Sequence, residues 1–262
     1  MTRFEKKLSK LNGKILLSLM LILPFSSLSV DAATKEDALS AVVNFLKAQK
    51  SCNADGMIKN SQYFHKIENL KESYSRFCRG NPLLEAQITN FSVINDDLAL
   101  VSIQSTHKNM IHVRTSPVIK VDGQWKIVIG IPPSGVKGIK YSNKTEGQNE
   151  IEQLFKDYNS AMMENNISKM KNLIKVVPES DNEKIDEHLK MLSQQPTPQV
   201  TTYGINMVSE SLAIAEIENK FPNHINTQNL AVYNENGQWK IIFGHLLTSA
   251  SIPSNGKTID IK

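Results

Sequence analysis

The sequence predicts an α+β protein of two repeated domains, each with N-terminal helices packed on a curved antiparallel sheet. A self-comparison carries this prediction, because the segment Asp122–Ile127 (DGQWKI) recurs 114 positions later as Asn236–Ile241 (NGQWKI). A spacing of 113 aligns the helical regions, where Phe45 pairs with Tyr158. A register shared over about 100 residues indicates a duplication.

Each copy is expected to open with an amphipathic helix. In the first copy Thr34 is the expected N-cap, with Asp37 three residues on. Apolar residues then recur at helical spacing in both copies. They are Leu39, Val42, Val43 and Leu46 in the first copy, and Ile151, Leu154, Phe155, Tyr158 and Met162 in the second. Shorter helices with one solvated face are expected around residues 56–78 and 168–193.

The back half of each copy changes to the alternation of strands rich in β-branched residues. The expected strands are 86–94, 97–106, 109–121 and 124–131, with counterparts at 200–208, 211–219, 225–234 and 238–247. Asp122-Gly123 and Asn236-Gly237 are expected hairpin turns, because Asp, Asn and Gly tolerate positive φ. Helices followed by an antiparallel meander give the α+β order.

Five segments follow from these patterns. Residues 1–32 form a leader, 33–131 the first domain, 132–147 a linker rich in proline and glycine, 148–248 the second domain, and 249–262 a polar tail. One short strand is expected in the tail, at Thr258–Ile261.

Residues 1–32 have the pattern of a secretory signal peptide, with five basic residues before an apolar run that begins at Ile15. Ala32 and Ala33 are small enough for cleavage. The alternative is an uncleaved membrane anchor. Pro24 and nearby serines interrupt the run, which favours cleavage, because a spanning helix needs about 20 apolar residues. No cysteine follows the run, so we expect no lipid anchor at that point and no transmembrane segment after cleavage.

The charge of the chain depends on this leader. The 262 residues carry a net charge of +4, with a pI near 8.9. Removal of residues 1–32 leaves 25 basic and 24 acidic residues, a net charge of +1. No basic stripe or patch remains to argue for a nucleic-acid partner, and we expect none. The leader predicts a secreted or cell-envelope location.

Both cysteines, Cys52 and Cys78, lie after the leader. In an oxidising compartment such a pair is a candidate disulfide, which would stabilise the fold by roughly 3 kcal/mol. Two buried thiols are the alternative, and we favour the disulfide. The second copy has Asn165, and Met191 or Leu192, at the matching positions.

The copy length of about 110 residues, the first helix that ends in the polar turn Asn53–Gly56, and the final hairpin with Trp125 or Trp239 resemble one known family. Each copy is similar to a nuclear-transport-factor-2-like domain, also called ketosteroid-isomerase-like. The resemblance implies a cone-shaped pocket that some members use for catalysis and many for binding. Tandem exported copies resemble accessory domains of Gram-positive envelope proteins.

Ketosteroid-isomerase-like catalysis needs a carboxylate base opposite hydrogen-bond donors in an apolar pocket. Asp96, Asp97 and Glu210 fall at expected turns, and Glu216 and Glu218 alternate on a strand face that we expect to be solvated. The six histidines have no zinc-ligand spacing, and nucleophile and phosphate-loop motifs are absent from the sequence. We therefore expect no catalytic, cofactor or metal site.

His112 and Arg114 share a predicted strand face with Met110, and the pair is the candidate lining of a pocket that binds an anion. A polar outer sheet face is the alternative, and it is favoured. The second copy has His224, Asn226 and Gln228 at these positions, so the charge is not repeated.

Trp125 and Trp239 each follow a hairpin turn and alternate with lysine. Stacking on a ligand such as a sugar is one interpretation. A packed aromatic side chain that anchors the last strand is favoured, since alternation places tryptophan inward and lysine outward.

The sequence thus favours an exported, non-catalytic protein that binds a protein partner or small ligand at the cell envelope or outside the cell. One alternative is an enzyme of the ketosteroid-isomerase-like class that uses one cone pocket. A second alternative is a structural spacer at the cell surface.

Overall fold

A computed structural model describes residues 27–132, 145–178, 182–244 and 249–253. Most of the expected leader, most of the linker and the tail strand at Thr258–Ile261 lie outside the described residues. The described residues from Lys35 onward form one compact unit. We call residues 35–132 the N-terminal half and residues 145–244 the C-terminal half.

In the N-terminal half the three helices come before the four long strands, as predicted, and the short strand β1 lies between two of the helices. Its elements are α1 (Ser27–Lys50), α2 (Ala54–Asn60), β1 (Ser61–Tyr63), α3 (Leu70–Gly80), β2 (Leu83–Asn95), β3 (Leu98–His107), β4 (Met110–Val121) and β5 (Gln124–Ile129). The predicted cap at Thr34 is wrong, because α1 begins at Ser27. No proline or glycine between these two residues breaks the helix.

The C-terminal half repeats this order. Its elements are α4 (Glu146–Met163), α5 (Ile167–Asn172), β6 (Ile174–Val176), α6 (Asn182–Ser193), β7 (Gln199–Met207), β8 (Leu212–Lys220), β9 (Ile225–Glu235) and β10 (Gln238–Phe243), and β11 (Ser249–Pro253) follows. Thr145 and Gln148 form a capping box at the start of α4. The helix therefore begins inside the stretch predicted as linker.

The predicted α+β class is confirmed, with helices and two sheets of the same strand order. The first sheet is β1-β5-β4-β3-β2, with β11 also paired to β4, and the second is β6-β10-β9-β8-β7. The four long strands of each sheet pair antiparallel, as predicted, and each sheet has one additional short strand that was not predicted, since β1 and β6 pair in parallel with β5 and β10. These three-residue strands interrupt the stretches predicted as helical, and they are too short to show an alternating pattern.

The strand registers of the two sheets agree. Arg114 pairs with Ile103 in the first sheet, and Gln228 pairs with Ile217, 114 positions later, in the second. Both predicted two-residue turns are present, with positive φ at Asp122 and Gly123, and at Asn236 and Gly237. The two sheets therefore place side chains at equivalent spacing on equivalent strands.

Strand β11 was not predicted, since this part of the tail looked polar. Its backbone pairs antiparallel with β4, from Ser249 opposite Arg114 to Pro253 opposite Met110. The strand is only five residues long. Its pairing depends on a stretch of β4 that is distant in the sequence, so no local pattern in the tail predicts this strand.

The core has three hydrophobic clusters. One lies inside each half, and Trp125 and Trp239, each 8% exposed, belong to these two clusters. The third cluster joins residues of both sheets, among them Leu98, Leu100 and Leu212. The faces of the two sheets that carry these residues thus share one apolar layer.

This third cluster corrects the prediction for Glu216. The carboxylate was expected in solvent, but Glu216 is fully buried, whereas Glu218 remains partly exposed and accepts a hydrogen bond from Tyr203. Glu216 alternates with Leu212 and Ile214, which belong to the shared cluster. The alternation in one strand does not show that a second sheet covers its polar face.

The predicted disulfide is confirmed. Cys52 and Cys78 are bonded, with their Cα atoms 5.6 Å apart. The bond joins the turn after α1 to the last turn of α3. Cys52 lies in the left-handed region at φ 56°, as does Asn165 in the C-terminal half at φ 54°.

Candidate ligand cavities

The N-terminal half contains a cavity of about 410 Å³ between α1, α3 and β4, which we call the first cavity. Its lining is Phe45, Gln49, Met57, Tyr63, Ser73, Tyr74, Phe77, Asn81, His107, Met110, His112, Arg114, Thr115, Ser116, Ile129, Gly130, Ile131 and Pro132. The structure thus places both sequence-predicted residues, His112 and Arg114, in one cavity wall. Strand β11 runs beside this segment of β4.

Arg114 is the dominant charge of the first cavity. Its guanidinium carbon lies 5.8 Å from the centre of the Phe45 ring, within the range of a cation–π contact. Burial lowers the pKa of the guanidinium to about 10, so the group is still positively charged at neutral pH. Its Nε is shielded from solvent and has no hydrogen-bond partner within the described part of the chain.

No acidic side chain among the described residues balances this charge inside the cavity, because neither Asp nor Glu occurs in the lining. A half-buried guanidinium without a carboxylate partner costs free energy, because it has lost part of its hydration and gained no counter-charge. The first cavity is therefore electrostatically suited to an anion.

His112 lies two residues before Arg114 on the same face of β4. Burial, and then the neighbouring charges of Arg114 and His107, lower the pKa of His112 to about 4. The imidazole is therefore neutral at physiological pH and adds hydrogen-bonding capacity rather than charge.

Two phenols complete the polar wall. The Tyr74 hydroxyl shares a hydrogen bond of 2.7 Å with Ser61, and burial raises the pKa of Tyr74 to about 12. Burial also raises the pKa of Tyr63. Both phenols are therefore protonated at neutral pH. No sequence pattern predicted these two residues as cavity lining, because they lie on α3 and β1, outside the alternating strands.

Glycine is required at position 130, behind Tyr63. Gly130 has φ +80°, and a Cβ atom there would overlap the Tyr63 ring. Gly130 thereby lets the end of β5 pass close to the ring that lines the cavity.

The C-terminal half has a larger cavity of about 950 Å³, the second cavity. Its lining includes Phe155, Tyr158, Asn159, Met162, Ile185, His188, Val200, Ile217, Phe221, His224, Asn226, Gln228, Leu230, Ile241 and Phe243. The Tyr158 hydroxyl and the Asn159 amide oxygen are shielded from solvent and have no hydrogen-bond partner among the described residues. Burial raises the pKa of Tyr158 to about 12.

Four wall positions distinguish the two cavities. The first cavity has His107, Met110, His112 and Arg114, and the second has Phe221, His224, Asn226 and Gln228, each 114 positions later. The half-buried charge of Arg114 in the first cavity is thus replaced by the neutral amide of Gln228 in the second. The described residues that line the second cavity also include neither Asp nor Glu.

The other groups considered in the sequence lie elsewhere. Asp96, Asp97 and Glu210 are exposed residues next to turns. Trp125 and Trp239 are not among the described residues that line either cavity, and the Trp239 indole donates a hydrogen bond of 3.1 Å to Glu150. No cluster of metal-ligating side chains occurs in the described residues. None of the helices described there has the length and hydropathy to cross a membrane.

Comparison with known proteins gives few matches. No family model matches the chain, and a search of curated proteins finds no significant match. Among solved structures, a protein from Xanthomonas campestris described as a calcium/calmodulin dependent protein kinase II association domain is 15% identical, with a TM-score of 0.29. The match covers 49% of this chain and 99% of that protein.

Two further structures cover more of the chain. An Ntf2-like protein involved in plasmid conjugation is 11% identical, with 89% of this chain and 100% of that protein covered and a TM-score of 0.25. A cystatin-like protein from Ruminococcus gnavus is 9% identical, with 86% and 94% covered and a TM-score of 0.27. At TM-scores this low the likenesses carry no argument about the fold or the function of this chain.

Proposed function

We propose that this chain is an exported, non-catalytic binding protein of two repeated, cone-shaped domains of the nuclear-transport-factor-2-like kind. It acts at the cell envelope or outside the cell, and its first cavity holds a small anionic ligand. The observation that carries this proposal is the half-buried Arg114 guanidinium, which lines a cavity without a described acidic residue.

Export is supported by the leader pattern and is compatible with the disulfide between Cys52 and Cys78. The repeat is supported by the shared 114-residue spacing and by the common strand order and register of the two sheets. Cone-shaped pockets are supported by a cavity bounded by helices and sheet in each half.

Binding is favoured over the two alternatives by the same cavities. Volumes of about 410 and 950 Å³ fall in the range of small-molecule sites, whereas a spacer has no use for open cavities. An isomerase-like enzyme needs a carboxylate base, and none occurs in the described linings. His112, with its pKa near 4, is a weak base at neutral pH.

The chemical class of the ligand follows from the residues that line the first cavity. A carboxylate accepts hydrogen bonds from the fork of a guanidinium in a planar, charge-assisted arrangement. The Phe45 ring lies next to the guanidinium, and other apolar residues, among them Met110 and Ile131, also line the cavity. A small carboxylate with an apolar body, such as benzoate or hexanoate, therefore represents the class.

Calorimetric titration of the protein without residues 1–32 tests the proposal. Benzoate and hexanoate should bind, and Arg114→Gln should weaken this binding about 30-fold, because charge-assisted hydrogen bonds contribute about 2 kcal/mol. Arg76→Gln is the matched control, since Arg76 is exposed and pairs with Glu72 on the surface. Equal binding by the two variants, or no binding by the unaltered protein, would contradict the proposal.

A further inference from the structure

We propose that the second cavity is a separate binding site for an uncharged secondary amide that carries an apolar group on each side, such as N-butylbenzamide. The proposal rests on three side-chain amides that line the cavity from adjacent strands, those of Asn219, Asn226 and Gln228, and on partly exposed apolar residues beside them. It goes beyond the anion site of the first cavity and does not depend on that site.

The three amides lie on one face of the second sheet. Asn219 on β8 is the register partner of Asn226 on β9, and Ile217 is the partner of Gln228. Partners across two strands, and residues two apart along one strand, point to the same side of a sheet. All four residues line the second cavity. The amides therefore point to the side on which the cavity lies.

These amides are open to the cavity. Each of the three residues is partly exposed, whereas Asn229 on the opposite face of β9 is only 1% exposed. None of their nitrogen or oxygen atoms belongs to the shielded, unpartnered atoms of the described residues. No hydrogen bond joins these side-chain amides to another residue within the described ranges. Their donors and acceptors are therefore available to a ligand.

The spacing of Asn226 and Gln228 suits an amide. Residues two apart on an antiparallel strand lie about 7 Å apart. The N–H and C=O of a trans amide point in opposite directions, so two hydrogen-bond partners, each about 2.9 Å away, are also roughly 7 Å apart. One side-chain amide can accept from the ligand N–H while the other donates to its C=O. A single hydroxyl oxygen would need its two partners within roughly 5 Å of each other.

Apolar surface lies on both sides of this amide pair. Leu230 follows Gln228 on the same face of β9, and Phe221 lies in the connection that precedes Asn226. Both are partly exposed and line the cavity, as does Phe243. Hydrocarbon groups on the two sides of a ligand amide would lose their contact with water at these side chains.

The charges of the lining favour an uncharged ligand. Neither Asp nor Glu occurs among the described residues that line the second cavity, and Gln228 stands where the first cavity has Arg114. The lysine and the histidines of this lining, Lys184, His188 and His224, are exposed residues. The partly exposed amides of β8 and β9 therefore supply polar contacts without a charge.

The first half does not repeat the three amides. At the positions 114 residues earlier the chain has Ser105, His112 and Arg114. The Ser105 side chain is 3% exposed, and its hydroxyl donates a hydrogen bond to the backbone carbonyl of His112. Amide binding is therefore expected in the C-terminal half alone.

Calorimetric titration of the protein without residues 1–32 tests the proposal with three neutral probes. N-butylbenzamide should bind. Butyl benzoate, which has a similar shape but no N–H donor, should bind about fivefold more weakly, the typical value of one hydrogen bond. The alcohol 5-phenylpentan-1-ol should also bind more weakly than the amide. No binding of the amide, or binding of the ester or the alcohol as tight as that of the amide, would overturn the proposal.

Variants of the two β9 amides sharpen the test. Gln228→Met and Asn226→Leu should each weaken the binding of N-butylbenzamide about fivefold, and the double variant should bind the amide and the ester equally. Gln199→Met is the matched control, because Gln199 is exposed on β7 and does not belong to the described lining. If Gln228→Met and Gln199→Met bind the amide alike while thermal unfolding shows both to be folded, the proposed role of Gln228 is wrong.

Crossed titrations separate this site from the anion site. Arg114→Gln should leave the binding of N-butylbenzamide unchanged, and Gln228→Met should leave the binding of benzoate unchanged, because the two residues line different cavities. Loss of amide binding in Arg114→Gln would assign the amide to the first cavity and overturn this proposal. Absence of benzoate binding beside intact amide binding would contradict only the proposed function.

Discussion

The two halves of this protein have the same strand order and register but differ in what they enclose. The N-terminal half surrounds a smaller cavity with a half-buried guanidinium, and the C-terminal half surrounds a larger cavity with the neutral Gln228 at the equivalent position. The framework positions the wall, and single residues such as Arg114 or Gln228 decide its charge. Ligand preference is thus a property of a few positions and not of the fold.

The halves also differ in how the turn after the first helix is fastened. Cys52 and Asn165 occupy equivalent turns, both with positive φ. Cys52 is bonded to Cys78 on α3, whereas Asn165 accepts a hydrogen bond from Ser193 at the end of α6. A covalent bond in one half corresponds to an exposed hydrogen bond in the other. The half with the covalent bond is also the one that contains the half-buried Arg114.

The largest expected effect is on the disulfide. Replacing both cysteines, Cys52→Ala with Cys78→Ala, should lower the free energy of unfolding by about 3 kcal/mol, because the unfolded chain gains the entropy of an open loop. Urea denaturation of the protein without residues 1–32 measures the loss. Unchanged stability would mean that the packing of α3 alone holds this turn.

The pH dependence of stability should come next in size. Burial lowers the pKa of His112 in the folded protein from its ordinary value of 6.5 to about 4, so the unfolded chain binds the proton more tightly. The contribution of His112 to the free energy of unfolding is therefore complete above pH 6.5, and it is lost as the pH drops from 6.5 to 4. Since the ring is only partly buried, we expect His112 to account for about 1–2 kcal/mol of this loss.

His112→Asn, which introduces the residue of the second half, should flatten the fall in stability over that pH range. His224→Gln, at an exposed position, is the control. Denaturant unfolding at pH 7 and pH 4.5 makes the comparison. A fall of equal size in His112→Asn and in the unaltered protein would show that other groups cause it.

Arg114→Met should stabilise the free protein by about 1 kcal/mol while it weakens anion binding at least as much as Arg114→Gln. We expect the desolvation cost of a half-buried guanidinium without a carboxylate partner to exceed the cation–π contact with Phe45, which contributes about 0.5–1 kcal/mol. The equivalent change Gln228→Met should leave stability nearly unchanged. Thermal unfolding of both variants decides this point, and destabilisation by Arg114→Met would indicate a counter-charge that the described residues do not contain.

The smallest effect is expected in the turn of the C-terminal half. Asn165→Gly keeps the positive φ without strain and removes only the hydrogen bond from Ser193. It should cost about 0.5 kcal/mol, as should Ser193→Ala. Urea denaturation of the two single variants and the double variant tests whether they share one interaction. A loss as large as that of the disulfide would remove the contrast between the halves.

Much of the fold was accessible from the sequence. Alternation predicted the long strands, and Asp122-Gly123 and Asn236-Gly237 predicted both hairpins, because those signals are local. The parallel strands β1 and β6, strand β11 and the burial of Glu216 were missed. Each depends on a neighbour that is distant in the sequence, so no local pattern contains it.

Only part of the candidate sites could be predicted from the sequence. Alternation in β4 placed His112 and Arg114 on one face, but it did not decide between a cavity wall and an outer surface. Tyr74 and Tyr158 line their cavities from helices. A tyrosine at an apolar position of a helical pattern is usually interpreted as a core residue. The Asn159 amide oxygen and the Arg114 Nε have no hydrogen-bond partner among the described residues. The sequence does not show this, because it depends on side chains that are distant along the chain.

The most direct test of the anion site is the side-chain Nε–H resonance of Arg114 in a ¹H–¹⁵N spectrum. After residue 32 the chain has only three arginines, Arg76, Arg79 and Arg114, so the signal can be assigned by single substitution. Titration with benzoate should shift the Arg114 signal in a saturable way and leave the other two unchanged. An Arg114 signal that stays in place at saturating benzoate, or three signals that shift together, would contradict the account.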